Sequence, residues 1–306
     1  MPVSTGIHLS HCLNLIAHLN PRSVLDVGCG FGTWGFLCRM HLDIHPGRVQ
    51  MEKWQARIDG IELFEPYIQA HQRALYTSIR IADIRDVAPT LDRYDLVIAG
   101  DVIEHLNKDE GIAVLHHLYN AAQGALLVNI PIGEGWDHPE QYGNPGELHR
   151  SQWMPEDFDP WPNHQTLMDL PCGKYGVFYC PKNLPERVGG LWSAAERYQA
   201  RNDLEAAHIM LTRILDLDPA QIEALPAVLN FLIEKKQLRQ AIHTLERSLQ
   251  AAPHYHYGYI VLSQLYAVAG MKHEARSALV ALLEHDGLAE DTADEARSAL
   301  EKLSCP

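Results

Sequence analysis

The chain has 306 residues, of which 46% are hydrophobic and 21% charged, a length that suggests two globular domains rather than one. A formal net charge of −14 argues against a nucleic-acid phosphate backbone as the main partner, because that affinity is carried by lysine and arginine. Six cysteines without a C-x-x-C pair indicate neither a zinc knuckle nor a redox motif, and with no leader-like or membrane-length apolar run the expectation is a cytoplasmic protein with reduced thiols.

Leu9, Leu13, Ile16 and Leu19 recur at helical spacing, and Asn20-Pro21 stops that helix. The next stretch, V-L-D-V-G-C-G-F-G-T-W-G over residues 24–35, is the pivot of the first half. Val24, Leu25 and Val27 read as a buried strand that breaks into Gly28, Gly30 and Gly32. Alternate glycines let a backbone turn sharply and approach a ligand where a Cβ would collide. The spacing differs from the G-x-G-x-x-G of a dinucleotide fold, and no Lys-Ser/Thr follows Gly35, which excludes a phosphate-binding P-loop. By itself the loop leaves a cofactor site and a plain glycine turn both open. A helix follows from Thr33 to Met40, with its N-terminal amides toward any ligand of the loop, and the polar residues 41–57 predict a loop or short helix.

Further strands end in acidic residues. I-D-G-I-E (58–62) delivers Glu62, whose two oxygens can accept hydrogen bonds from two hydroxyls. S-I-R-I-A-D (78–83) delivers Asp83, with Ile84 behind it. Y-D-L-V-I-A-G (94–100) has the near-continuous apolar character of a parallel strand buried on both faces, and it ends at Asp101, followed by V-I-E-H-L. A helix around 109–122 leads to A-L-L-V-N-I-P (125–131). This alternation predicts a parallel sheet with a ligand crevice at the strands' carboxyl ends. Residues 132–164 break the pattern, and Trp136, Trp153 and Trp161 argue for an ordered functional segment, a lid, rather than disorder. T-L-M-D-L-P (166–171) and K-Y-G-V-F-Y-C (174–180) read as a tight hairpin.

The spacing Asp26-x-Gly28-x-Gly30-x-Gly32, the acidic strand ends and D-V-I-E-H-L together resemble the class I methyltransferases that use S-adenosylmethionine (SAM). The resemblance covers roughly residues 9–182. It implies a Rossmann-like, seven-stranded α/β sheet with an antiparallel last strand, in a domain over residues 1–184, with SAM as cofactor and S-adenosylhomocysteine as product. It also implies that Asp26, Gly28, Cys29, Gly30 and Gly32 form the cofactor loop and that Glu62, with Leu63, holds the ribose. Asp83 would take the exocyclic amine of adenine with Ile84 against the ring, and Asp101 would complete the site.

After Pro185 the pattern becomes continuously helical. Ala207, Leu211 and Pro219 recur as Ala241, Leu245 and Pro253 and again as Ala275, Leu279 and Gly287, a period of 34 residues (253 − 219 and 287 − 253). Tyr198, Leu232 and Tyr266 recur likewise, and Asn202, Lys236 and Gly270 fall at the turn between helices. Period and pattern resemble tetratricopeptide (TPR) repeats, which implies an all-α domain over 188–306 with three repeats and a capping helix at 289–303. Such a domain serves either partner binding or self-association.

Methyl transfer from a sulfonium is an in-line displacement. A hydroxyl acceptor needs a base or a metal, whereas an amine or carboxylate needs mainly positioning. His149, His105 and His138 are the candidate bases, with Asp101 beside them. His149 stands first, because E-L-H-R-S-Q-W lies in the expected lid and resembles the Glu-x-His followed by Trp of related methyltransferases; a merely structural role stays open for each histidine. By residue type Asp101, His138, Glu147 and His149 could hold a metal, but catechol-type enzymes carry an Asp-Asn pair where Val128-Asn129 stands, so no metal is expected. The Asn/Asp-Pro-Pro-aromatic motif of nucleic-acid amino-methyltransferases is absent, Gly100-Asp101-Val102 standing there. Three readings follow: methylation of a small molecule or glycan, foremost at a hydroxyl; methylation of a protein or peptide held by the helical half; or a scaffold that keeps SAM without catalysis.

Overall fold

The computed structural model describes residues 5–136 and 143–303. The chain divides into two compact units, residues 1–190 and 191–306.

In the first unit helix α1 (Leu9–Leu19) ends at Asn20, whose left-handed backbone sets up strand β1 (Ser23–Val27). Helix α2 (Thr33–Arg39) follows the glycine loop and widens into a π-turn over Met40–Ile44, part of the stretch expected to be loop or short helix. That turn is anchored by the buried Asp43, which accepts from Arg39 at 2.5 Å and from Arg48 at 2.8 Å. Then come β2 (Arg57–Glu62), α3 (Ala70–Leu75), β3 (Ser78–Ile81), the short α4 (Ile84–Val87), β4 (Tyr94–Gly100), α5 (Lys108–Ala121) and β5 (Ala122–Ile132). The hairpin is β6 (His164–Leu170) and β7 (Gly173–Pro181). β3 is shorter than expected, because Asp83 leaves the ladder to cap α4 by accepting the Arg85 N–H.

The seven strands run in the order β3-β2-β1-β4-β5-β7-β6. β1 to β5 are parallel, and β7 is antiparallel to both of its neighbours. This is the mixed, Rossmann-like sheet that the resemblance implies. Successive strand residues point to opposite faces, and both faces are covered. Leu25, Val97, Leu126 and Val128 pack with Leu115 and Leu118 of α5 on one side. Val24, Leu96, Ile98 and Leu127 pack with Cys38 and Ile16 on the other. Two-sided burial is why these strands carry unbroken apolar runs. The irregular segment after β5 holds two short 3-10 turns, Pro145–Glu147 and Pro155–Phe158, and is nailed down by the buried Trp153 and Trp161. His138 lies outside the described residues.

Helix α6 (Leu184–Ala200) runs across the division, and α7 to α12 (Leu204–Leu217, Leu225–Glu234, Leu238–Ala251, His256–Val268, Lys272–Leu283, Glu290–Lys302) complete the all-α second unit. The repeat is visible in the backbone. Asn202, Lys236 and Gly270 all adopt left-handed φ (58°, 60° and 78°). After each, an N–H reaches back five residues: Asp203 to Tyr198 O, Gln237 to Leu232 O and Met271 to Tyr266 O, at 2.9, 2.7 and 2.9 Å. This is the Schellman helix end, repeated at 34-residue intervals. Ala207, Ala241 and Ala275 are buried where a larger side chain would hold the helices apart. The helical-repeat class is therefore as expected, with α12 at the position of the cap.

Candidate functional site

At the carboxyl end of β1 the chain turns with φ of 67° at Gly28 and 47° at Gly30, values that L-side chains rarely adopt. A Cβ on Gly28 would stand 2.6 Å from Val102 Cγ2, so the loop can lie against the end of β4 only as glycine. Gly28 and Cys29 both donate to Ile61 O (2.8 and 3.0 Å), which ties the loop to β2.

Glu62, at the end of β2, is buried and oriented by two backbone donors. Gly30 N–H reaches Oε2 at 2.8 Å and Phe64 N–H reaches Oε1 at 2.9 Å. Burial raises its pKa. A carboxylate has about four acceptor positions, so two remain for a ligand. Glu62 lines a cavity of about 500 Å3 at the strand ends together with Gly28, Cys29, Gly30 and Leu63. Asp83, Ile84 and Asp101 line its other walls. Asp83 is gripped bidentately by Arg85 (Nη2 to Oδ2 2.6 Å), which holds its carboxyl below the usual range. Asp101 has φ of 51°, an unusual backbone for a non-glycine residue, and accepts from Tyr175 Oη at 2.8 Å.

Two residues of the expected loop do not line this cavity. Asp26 lies beneath the loop, where Tyr76 Oη donates to its Oδ2 at 2.5 Å, and burial pushes its carboxyl up to about 7. Gly32 caps α2 against Gln72, whose Cγ a Cβ would meet at 2.9 Å. Conversely, Trp34 and Tyr67 line the cavity although neither stands at a strand end. Trp34 Nε1 is buried without a hydrogen-bond partner among the described residues, an orphaned donor beside the cavity. Tyr67 Oη donates to Glu147 Oε1 at 2.9 Å. The Asn144–Glu147 turn forms one wall: a Cβ on Gly146 would stand 3.3 Å from Leu63 Cδ2.

A second cavity, of about 370 Å3, is lined by Glu104, Trp136 and His149 among others, and Arg150 lines both cavities. His105 faces the first cavity, and its ring meets that of His149 edge-on with centroids 4.9 Å apart. Burial, with His149 beside it, lowers the His105 pKa to about 4. Burial, with Asp101 nearby, pushes the Glu104 carboxyl well above its usual range. The fold thus brings His149, His105 and Asp101 to one end of the crevice, and adds Glu104, which sequence reasoning passed over although it stands inside D-V-I-E-H-L.

No family model and no curated protein matches the chain. Solved structures are similar to parts of the chain at low identity. Magnesium protoporphyrin IX methyltransferase of Synechocystis PCC 6803, with bound SAH, is 18% identical over 57% of this chain and 82% of its own, with a TM-score of 0.40. TehB of Haemophilus influenzae is 16% identical over 59% of this chain and 64% of its own, with a TM-score of 0.42. The Yersinia enterocolitica type III secretion chaperone SycD, in complex with a peptide of the translocator YopD, is 18% identical over 38% of this chain and 91% of its own, with a TM-score of 0.32. Among the described residues no helix is long and apolar enough to cross a membrane.

Proposed function

We propose that the chain is a SAM-dependent methyltransferase acting on a hydroxyl of a small-molecule or glycan acceptor. The observation that carries this reading is the buried, doubly oriented Glu62 in the cavity at the carboxyl ends of the strands, opposite a loop that only glycine can form. The fit extends further. The cavity has room for a nucleoside-sized ligand, Asp83 and Ile84 offer an acceptor and an apolar surface, and Trp34 Nε1 supplies an unmatched donor.

In this reading Glu62 accepts from the ribose hydroxyls, Asp83 and Ile84 take the adenine, and the loop residues Gly28, Cys29 and Gly30 lie along the rest of the cofactor. Bound there, SAM would supply an electrophilic methyl group for the acceptor oxygen and would leave as S-adenosylhomocysteine. His149 Nδ1 sits 2.6 Å from Trp136 O, and a carbonyl only accepts, so the proton is on Nδ1 and the lone pair on Nε2. That nitrogen is the base that takes the acceptor's proton. The second cavity, which His149 lines, is the acceptor site, and Arg150 lies between it and the cofactor.

The helical repeats would serve assembly or partner binding. A protein or peptide acceptor held by them is the second reading, favoured by the 34-residue recurrence itself. Incubating the full chain with methyl-labelled SAM and, separately, metabolite, glycan and protein pools distinguishes the two. Label in a small molecule or glycan supports the first reading and label in a polypeptide the second. Failure to bind SAM at all removes both.

A further inference from the structure

Glu104, His105 and His149 each place one potential ligand atom within 4.8 Å of the others. Glu104 is 1% exposed, and neither carboxylate oxygen has a hydrogen-bond partner among the described residues. His105 Nε2 lies 4.0 Å from its Oε1. Among the described residues this enclosed carboxyl group thus meets no hydrogen-bond donor, whereas buried polar groups ordinarily have one.

The two histidines are pre-set as ligands. His105 Nδ1 lies 3.3 Å from Leu148 O, and His149 Nδ1 lies 2.6 Å from Trp136 O. Each carbonyl holds the proton on Nδ1, so Nε2 carries the lone pair in both rings. Metal-binding histidines are oriented in the same way, by a hydrogen bond from the ring nitrogen that does not coordinate. From these observations we propose that Glu104, His105 and His149 form a binding site for a divalent transition-metal ion.

Two imidazole nitrogens and one carboxylate suit Zn2+, Fe2+, Co2+ or Mn2+ rather than Ca2+ or Mg2+, which prefer all-oxygen shells. Ligands about 2.1 Å from a tetrahedral ion stand roughly 3.4 Å apart, so small side-chain adjustments draw the three donors inward. Three protein ligands leave at least one position open, the arrangement of a reactive rather than a purely structural site. That position would face the two cavities, because His105 lines the first and Glu104 and His149 line the second. Rested on the methyl-transfer reading, the ion would orient the acceptor oxygen and ease loss of its proton, with His149 as ligand instead of base. The binding site itself does not depend on that reading.

The test uses the full chain, stripped with chelator and titrated with Co2+, read by calorimetry and by visible absorption. The expected result is one equivalent bound, with the intense absorption of a four- or five-coordinate site, and displacement by Zn2+. Glu104→Gln, His105→Ala and His149→Ala should each weaken binding at least 100-fold. His41→Ala should leave it unchanged, which controls for the neighbouring rings of His41 and His45. Glu104→Gln is nearly isosteric and preserves packing, and the wild-type spectrum is a readout independent of any variant. No stoichiometric Co2+ binding by the wild type, or unaltered binding in a folded Glu104→Gln, overturns the site. Metal binding without methyl transfer to any acceptor keeps the site and removes the methyl-transfer reading; methyl transfer by a protein that binds no Co2+ does the reverse.

Discussion

Tyr175 Oη donates to Asp101 Oδ1 at 2.8 Å, joining the antiparallel strand β7 to the residue that ends β4. The same aspartate donates its backbone N–H to Asn129 O at 2.9 Å and holds φ of 51°. A non-glycine residue in this region persists when its surroundings over-determine it, and here strands β5 and β7 supply the constraint. Tyr175→Phe should therefore lower unfolding stability by about 1 kcal/mol, the usual worth of one hydrogen bond, measured by urea denaturation. A variant as stable as the wild type would show that Asp101 is held by other means.

Glu62→Ala removes the acceptor for Gly30 and Phe64 together with that proposed for the ribose. SAM affinity should fall by about 2 kcal/mol or more, because charge-assisted hydrogen bonds are lost. Calorimetric titration checks this, and an unchanged affinity would place the cofactor elsewhere.

His149→Ala should reduce turnover by roughly 100-fold to 10,000-fold, the range for loss of a general base, while SAM affinity stays constant. Collapse of both would mark His149 as structural.

His8 is fully buried and stacks on Tyr175 with ring centroids 4.8 Å apart, and neither ring nitrogen has a hydrogen-bond partner among the described residues. Burial, helped by the nearby His11, lowers its pKa from 6.5 to about 4. Between those values the unfolded chain binds the proton and the folded chain does not, so this contribution to stability is full above pH 6.5 and is lost as pH falls toward 4. The loss approaches about 3 kcal/mol. His8→Phe should flatten the stability profile across that window relative to the wild type, as read by denaturation at several pH values. Parallel profiles would count against a buried neutral His8.

Lys236 occupies the left-handed position that Gly270 fills one repeat later. Lys236→Gly should stabilise the helical unit by about 1 kcal/mol, since the turn already has the backbone that glycine prefers. A lower melting temperature would mean that the lysine side chain makes a compensating contact.

Much of the fold is legible because local rules and tertiary context agree. The apolar runs of β4 and β5 mark strands covered on both faces, and the period of 34 marks the repeat. The lining of the cavity is legible where a residue stands at a strand end, as at Glu62, Asp83 and Asp101. It is not where the role depends on depth. Asp26 stands in the motif but lies below the cavity, bonded to Tyr76, and no spacing reveals which side of a loop a side chain takes. Glu104 sits beside two candidates in the same motif, but its significance comes from being buried, with no hydrogen-bond partner among the described residues, next to His149, a neighbour 45 positions away (149 − 104). Trp34 and Tyr67 line the cavity from a helix and a turn where no sequence pattern points to a ligand.

The recurrence of one helix end at Asn202, Lys236 and Gly270 has a consequence for how the second unit can change over evolutionary time. Each turn is closed by its own backbone bond and needs nothing from the turns before or after it. A duplication or deletion of 34 residues cut between equivalent turns would restore every hydrogen bond of the helix ends, and only the helix faces at the junction would be new. Length in this part of the molecule is thus a variable that evolution can adjust in whole steps, whereas a single residue added within a helix would rotate all that follows by about 100°.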